Sequence, residues 1–516
     1  MKSGTRWLRR LVGGEDVSDD ATVDFIQGLV RASARGGRAA LDDLAGALFG
    51  VVSDAHLAER VLDVLTEAGP GLWIPLDSAM RPPMYGSRDP RIMPAPAVRR
   101  MRTPLAVALA ACSRDGRERE EAVGHPLMTT DERLFPLLAV RTADWADAVR
   151  SQALRLLSEV VARPGGAALR TVVPVAVRLG DRRRGRPAIE LVRQALLRAD
   201  DDTLSAARRC EDLRGRRFAF EVSLQGGRMD ERRLAAAARR EPDIVSRTRC
   251  AEALAARAIA GNRPELMEEL LDVTSARVRV EALTALVRLG RTDFGPRFLG
   301  DDASMMRLTA QWAVRRAGGD PAELYRRYLA APAGRDSRGL LAGLGDCGTR
   351  AHADLVLPFV RDPRPRVRAE AVRTLRRLGA RVDVAEMLED PAPVVVRDVV
   401  KTLRASGPGV PVERLWALLG EAHPRHVRQA AHRLLADHGG WTRVRADLLL
   451  AVDPDDALSL SARTDLDLWC SRELPGAYPA CPAGLLGELE DLLSAAERAV
   501  GARNARLLRW VIRAGG

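Results

Sequence analysis

The feature that most constrains the fold of this chain is a pattern that returns about every 30 residues. Its clearest copy is RDPRPRVRAEAVRTLRRLG, residues 361–379, in which an Asp-Pro turn precedes Arg368 and a helix with small and apolar residues at helical spacing. Taking this arginine as the anchor of each unit, the equivalent positions are Arg150, Arg186, Arg216, Arg249, Arg279, Arg307, Arg338, Arg368, Arg397 and Arg428. One helical hairpin cannot bury its own apolar face, so a fixed period of this length predicts a stack of hairpins that share a core.

The pattern of an Asp-Pro turn, Val-Arg, Ala and Leu resembles the HEAT and HEAT-like repeat family, in particular its short, PBS-lyase-type form, over residues 131–440. The resemblance implies an all-α fold, an α-solenoid of about ten hairpins with helical caps at both ends. It further implies that the anchor arginines pair with acidic residues and link one repeat to the next. The acidic candidates lie five to seven positions before an anchor, at Asp181, Asp243, Asp272, Asp301, Asp362 and Asp390.

The sequence outside the repeats divides into three segments. Residues 1–70 read as three helices and are predicted to form an N-terminal helical cap. Residues 71–130 are predicted to be an irregular Pro/Met-rich segment with one short helix at 104–113, because prolines interrupt helices. The first part of this segment, 71–101, either fills a groove along the solenoid or binds a partner. Residues 441–516 are predicted to form a C-terminal helical cap.

The composition favours a polyanionic partner. The chain has 81 Lys and Arg against 69 Asp and Glu, a formal charge of +12. Such an excess suits an acidic protein surface or a nucleic-acid backbone. The first residues lack the apolar core of a signal peptide, and no run of about 18 apolar residues occurs. These observations predict a cytoplasmic, monomeric solenoid without a membrane partner.

The best candidate for binding is one face of the second helices, which line the concave side of a HEAT-like stack. Its solvent-facing positions should fall four to five and seven to nine residues after each anchor. The basic residues at these positions are Arg288, Arg315, Arg316, Arg373, Arg376, Arg377, Lys401, Arg404, His432 and Arg433. Five of six successive units contribute to this predicted basic stripe, and the Arg338 unit is a gap. The alternative is that they are ordinary solvated charges near helix ends, where cations also suit the helix dipole.

No motif predicts a cofactor, a metal or a catalytic group. The glycines in Gly343-Leu344-Gly345-Asp346-Cys347-Gly348 match a dinucleotide fingerprint, but no strand precedes them, so we expect the end of a helix. His423, His426, His432 and His438 lack the spacing of HExxH, and six scattered cysteines lack metal or disulfide spacing. We therefore expect no metal site, no cofactor and no catalytic residue.

The leading functional prediction is a non-enzymatic scaffold or adaptor. The alternative is a HEAT-like DNA glycosylase, an enzyme that holds duplex DNA on a concave basic face and needs an Asp close to tryptophans there. Trp312 lies on a second helix without a neighbouring Asp, and Asp398 belongs to a repeat three units away. Trp145 is expected in a turn beside Asp144. A third alternative, a bilin-lyase-like chaperone for a covalently attached chromophore, shares only the repeat type.

Overall fold

The computed structural model describes residues 18–81, 102–331, 337–406, 409–473 and 480–514. Every regular element within these ranges is a helix or a short 3₁₀ or π turn. The predicted all-α solenoid of HEAT-like hairpins is confirmed. None of the helices in the described part of the chain is long and apolar enough to cross a membrane.

The chain folds as two compact units, Met1–Leu254 and Ala255–Gly516. The helices of the first unit, of which the last runs through the boundary, are α1 Asp19–Ala34, α2 Arg38–Val51, α3 Ala55–Glu67, α4 Trp73–Ala79, α5 Pro104–Ala111, α6 Gly116–Val123, α7 Leu127–Thr130, α8 Phe135–Arg141, α9 Asp147–Val161, α10 Ala167–Leu179, α11 Arg186–Arg198, α12 Asp201–Arg208, α13 Leu213–Gln225, α14 Glu231–Arg240 and α15 Ile244–Gly261.

The second unit continues the same construction. Its helices are α16 Glu265–Glu268, α17 Ala276–Arg288, α18 Ser304–Arg316, α19 Pro321–Ala330, α20 Ser337–Cys347, α21 Ala353–Val356, α22 Pro365–Arg377, α23 Pro393–Ser406, α24 Val412–Leu418, α25 Arg425–Asp437, α26 Gly440–Ala451, α27 Asp456–Leu468, α28 Leu486–Val500 and α29 Ala502–Ala514.

The second helices of successive hairpins pack side by side in this unit. In chain order α17, α18, α20, α22, α23 and α25 each contact the next. The first helices are shorter, and in three repeats 3₁₀ turns lead into the second helix, at Gly295–Phe298, Leu357–Arg361 and Ala385–Glu389. The buried residues between these layers are mostly Ala, Val and Leu, so the helices approach closely around small side chains.

Several of the anchor arginines link consecutive repeats, as the resemblance implies, whereas Arg186 and Arg397 are exposed and make no ion pair among the described residues. Arg368 donates to the carbonyl oxygen of Asp362 at 2.9 Å and to both carboxylate oxygens of Asp390, in the next repeat, at 2.8 Å. Arg279 binds both oxygens of Asp301 in the same way. Among the described residues of the second unit, Arg428 likewise binds both oxygens of Asp453, and Arg307 binds Asp346 through one oxygen, Oδ2. A bidentate pair fixes the spacing of neighbouring helices because the guanidinium fork is rigid.

Three of the acidic residues predicted for these links have other partners. Asp181, Asp272 and Asp362 pair with surface arginines instead. These partners are Arg214, Arg297 and Arg364. The other three, Asp243, Asp301 and Asp390, each pair with an arginine of the preceding repeat.

The anchor of the fourth predicted unit is Arg247, two residues before the predicted Arg249. The Arg247 side chain donates to the carbonyl oxygen of Glu241, six residues earlier, at 2.6 Å. Arg279 makes the same bond with Val273. Three positions after Arg247 stands the buried Cys250, which is the small residue that the pattern requires. Arg249 is exposed instead.

The repeats begin earlier than predicted, because the stretch expected to be a loop after α5 contains helix α6. Asp115 caps this helix by accepting a hydrogen bond from the N–H of Arg117 at 2.8 Å. Arg119, 31 residues before Arg150 in the sequence, donates to the carbonyl oxygen of Ser113 and thus makes the bond of an anchor. Helices α5 and α6 therefore form a further repeat hairpin before residue 131.

The predicted irregular segment also contains α4. Pro75 lies in its first turn, where the missing N–H has no intrahelical partner to lose. Trp73 and Leu76 on this helix are buried in the core of the first unit. The rest of the predicted groove-filling or partner-binding segment, residues 82–101, lies outside the described residues.

The regular stacking continues past residue 440, where the cap was predicted to begin. Helix α26 packs on α25 and pairs with α27 as a further hairpin. The last two helices of the predicted C-terminal cap, α28 and α29, pack on each other.

Candidate binding surface

Half of the predicted basic stripe is exposed and makes no ion pair among the described residues. These residues stand in the second halves of four second helices, with Arg288 on α17, Arg315 and Arg316 on α18, Lys401 on α23 and Arg433 on α25. Because their charges are not neutralised by nearby carboxylates, they remain available to a partner. We call these five the unpaired basic residues.

Arg373 and Arg376 do not belong to this set, contrary to the prediction that they face solvent freely. Arg373 donates to Asp398 at 2.7 Å and to Glu370 at 2.6 Å. Arg376 donates to the carbonyl oxygen of Asp398 at 3.3 Å and to the hydroxyl of Thr402 at 3.2 Å. Asp398 is fully buried, so both arginines compensate a charge that the core contains.

Arg377 and Arg404 are exposed but paired. Arg377 binds Asp346 at 2.9 Å, and Arg404 binds Asp437 at 2.8 Å. Each pair joins neighbouring second helices at the surface. The carboxylates of Asp346 and Asp437 therefore largely neutralise the positive charge of these two arginines.

His432 is the one predicted residue that is buried. Its side chain is 3% exposed, and its Nε2 lies 2.7 Å from Oδ1 of Asp447 on α26. Burial raises the pKa of the Asp447 carboxyl to about 6. His432 faces the next hairpin, where it contacts Asp447, rather than solvent. It is not part of the binding surface.

His432, Asp447 and Asp465 bring one ligand atom each within 4.8 Å of one another. Arg443 already donates to both oxygens of Asp465 at 2.8 Å. Each carboxylate thus has a basic partner within the protein, His432 for Asp447 and Arg443 for Asp465. The geometry therefore does not require a metal ion.

The predicted stripe has no basic residue on α20, the second helix of the Arg338 unit, because this helix packs closely against its neighbours. Helix α20 approaches its neighbours so closely that a Cβ on Gly339 would lie 2.0 Å from the carbonyl oxygen of Gly300. A Cβ on Gly343 would lie 2.1 Å from the hydroxyl of Tyr325. These glycines thus serve helix packing, and the fingerprint-like run is the end of a helix, as expected.

A small depression of about 130 Å³ lies over α20, with Gly339 in its lining. The four arginines that line it are all paired: Arg307 and Arg377 with Asp346, Arg338 with Asp302, and Arg373 with Glu370 and Asp398. The depression is thus balanced in charge and separates the unpaired basic residues of α17 and α18 from those of α23 and α25.

No unpaired carboxylate offsets the basic residues on the described parts of these six second helices. Their acidic residues are all buried, ion-paired or otherwise in contact, and they are Glu281, Asp346, Glu370, Asp398 and Asp437. The surface charge of this face is therefore positive, although most of its arginines are neutralised.

Helix α18 has exposed apolar side chains that were not predicted from the sequence. Met305, Leu308 and Trp312 are exposed, and their spacing of three and four residues places them on one face of the helix. The periodic signal was present in the sequence, but exposed apolar residues at helical spacing look the same as core residues until the packed face is known. The structure buries the opposite face, through Met306 and Ala310.

The carboxylates considered for a glycosylase are engaged elsewhere. Asp398 is buried against Arg373. Asp144 binds Arg119 at 2.9 Å and Arg141 at 2.8 Å, all three being buried. Trp145 lies in a turn, as expected, with the guanidinium of Arg119 5.3 Å from its ring centroid. Neither carboxylate is therefore free to assist bond cleavage on a bound base.

Comparison with known proteins gives similarity to solved structures only. No protein-family model matches the chain, and no curated protein matches it. The karyopherin Kap121p bound to the extreme C-terminus of the protein phosphatase Cdc14p is 12% identical, with a TM-score of 0.37 over 97% of this chain and 66% of that chain. Kap121p bound to Pho4p is 10% identical, with a TM-score of 0.31 over 95% and 55%.

Importin beta crystallised in an ammonium sulfate condition is 13% identical, with a TM-score of 0.29 over 94% of this chain and 83% of that chain. The chain spans between about half and two thirds of the length of the Kap121p chains above. Similarity at this level identifies neither a family nor a function.

Proposed function

We propose that this protein is a non-enzymatic binding scaffold whose unpaired basic residues hold an acidic partner, either a protein surface or a nucleic-acid backbone. The observation that carries the proposal is the charge of the second-helix face in the second unit. The unpaired basic residues there are exposed and make no ion pair among the described residues, while the acidic residues of the same helices are engaged. We retain the expectations of PBS-lyase-type repeats and of a monomeric, cytoplasmic protein.

An extended set of arginines at this surface suits a partner with regularly spaced negative charges. Guanidinium groups bind carboxylates and phosphates in the same bidentate manner, so the proposal covers both partners. Binding to either one should weaken as salt is added, and for nucleic acid the logarithm of the affinity should fall linearly with the logarithm of salt concentration.

The experiment compares three polyanions at several salt concentrations: a duplex DNA, a duplex RNA and poly-glutamate. The test variant Arg288→Glu/Arg316→Glu reverses two unpaired residues. The control Arg326→Glu/Arg414→Glu makes the same change in net charge on the first helices α19 and α24. We expect at least one polyanion to bind the wild type, with an affinity that drops about tenfold or more in the test variant.

The control should keep most of the affinity of the wild type. Absence of binding to all three polyanions would overturn the proposal. Equal losses in the test and control variants would also overturn it, because binding would then depend on net charge rather than on this face.

A further inference from the structure

The exposed side of α18 has an apolar centre. Met305, Leu308 and Trp312 are 59%, 43% and 37% exposed. They occur at positions i, i+3 and i+7, which is the spacing that one helix uses to contact another. Among the described helices, α18 is the one in which three large apolar side chains are exposed with this spacing. We call these three residues the apolar stripe.

Unpaired arginines surround the apolar stripe. Arg315 and Arg316 lie in the last turn of α18. Arg277 and Arg288 lie at the two ends of α17, which packs against α18, and both are exposed without an ion pair among the described residues. The face formed by α17 and α18 thus has an apolar centre and a basic rim, which is the arrangement of a protein interface.

The apolar centre and basic rim of this face favour one kind of binding partner over the others. Duplex nucleic acid could neutralise the arginines but would leave the apolar stripe without an apolar contact. A second copy of this chain would bring one basic rim against another, which is unfavourable. A helix with apolar residues on one face and acidic residues beside them would contact the apolar stripe and also neutralise the arginines. From Met305 to Arg316 the face extends for about 16 Å, which is three turns of such a helix.

We propose that the α17–α18 face binds an amphipathic helix with acidic flanks, presented by a partner protein. This inference rests on the proposed function and narrows its partner to one class. Met305 and Trp312 supply adaptable and rigid apolar contacts, and the arginines orient the helix and increase its rate of association.

The test uses a displayed library of helical 16-residue peptides, selected against the intact wild-type chain. The affinity of the selected peptides is then measured by fluorescence anisotropy for the wild type and for Met305→Ser/Leu308→Ser/Trp312→Ser. The control variant Leu460→Ser/Leu468→Ser removes two exposed leucines from α27, outside this face. All these side chains are exposed, and far-UV circular dichroism checks that each variant is folded.

We expect the selected peptides to carry apolar residues at i, i+3 or i+4, and i+7, with acidic residues beside them. Their affinity should fall at least about tenfold in the triple variant and remain unchanged in the control variant. Peptides without this pattern, peptides that bind the triple variant equally well, or a selection without binders would each overturn the inference.

The two proposals can fail separately. If a polyanion binds through Arg288 and Arg316 but no peptide requires the apolar stripe, the scaffold proposal stands and the helix inference is wrong. If duplex DNA or RNA binds through the same arginines and the triple variant binds it normally, the partner is a nucleic acid and the inference is likewise overturned. If peptides require the apolar stripe and no polyanion binds, the charge-based proposal is wrong.

Discussion

The side chain of Arg119 shows what an anchor arginine does in this protein. It is fully buried, donates to the carbonyl oxygens of Ser113 and Arg114 at 2.9 Å, and binds both oxygens of Asp144 at 2.9 Å. Its donors are used within the protein, so it offers nothing to a ligand. Its role is to hold two consecutive hairpins together.

Replacing Arg119 by Ala should therefore be costly. The change leaves Asp144 buried with Arg141 as its remaining ionic partner, and loss of a buried ion pair typically costs about 3–5 kcal/mol. The matched control is Arg155→Ala, which removes an exposed pair with Glu159 and should cost less than about 1 kcal/mol. Urea unfolding of both variants measures the difference, and similar costs would contradict a structural role for the anchor.

The Asp447 carboxyl predicts a dependence of stability on pH. Burial raises its pKa from 3.8 to about 6, while His432 and Arg443 act in the opposite direction and Asp465 acts in the same direction. The folded state therefore takes up a proton before the unfolded state does, and the contribution of this group to stability falls as pH rises from about 4 to 7.

Asp447→Asn removes this titration while keeping the shape of the side chain. We expect the wild type to lose up to about 3 kcal/mol of stability relative to the variant between pH 4 and pH 7, given 1.36 kcal/mol for each unit of the pKa difference. Unfolding free energies of both proteins, measured at each pH, give the result. A difference that stays constant or changes in the opposite direction would show that Asp447 is ionised throughout.

Helix α20 can pack against Tyr325 only because Gly343 has no side chain. The hydroxyl of Tyr325 donates to the carbonyl oxygen of Leu299 at 2.8 Å and occupies the space beside Gly343. Gly343→Ala should destabilise the protein by about 1–3 kcal/mol, because overpacking outweighs the better helix propensity of alanine. Gly28→Ala in α1 is the control, since a Cβ there meets no atom within 4 Å.

The control should instead stabilise by up to about 1 kcal/mol, because alanine favours the helix. Thermal unfolding of the two variants therefore distinguishes the effect of helix propensity on stability from the effect of overpacking. A stabilising effect of Gly343→Ala would mean that α20 is not held as close to Tyr325 as described.

The hairpins could be predicted from the sequence because the repeat period is present along most of the repeat region. It could not predict α6, whose residues GREREEAV contain too few apolar positions to show a helical pattern. It also could not separate paired from unpaired arginines. The partner of Arg373 lies 25 residues away in Asp398, and that of Arg377 lies 31 residues away in Asp346, so stacking alone decides the pairing.

Across the whole molecule, the formal charge of +12 does not measure the charge that a partner meets. Many arginines are used in links between repeats, and the positive surface of the second unit comes from those that are not. This distinction predicts that two variants with the same net charge differ in their attraction to a polyanion.

A heparin column tests this directly, since heparin is a polyanion that needs no knowledge of the natural partner. Arg315→Gln/Arg316→Gln removes two unpaired charges, and Arg377→Gln/Arg404→Gln removes two paired ones. The salt concentration at elution should fall clearly for the first variant and stay near the wild-type value for the second, because salt-dependent binding follows the charges that contact the polyanion. Equal shifts would be contrary to this expectation and would mean that net charge alone governs binding.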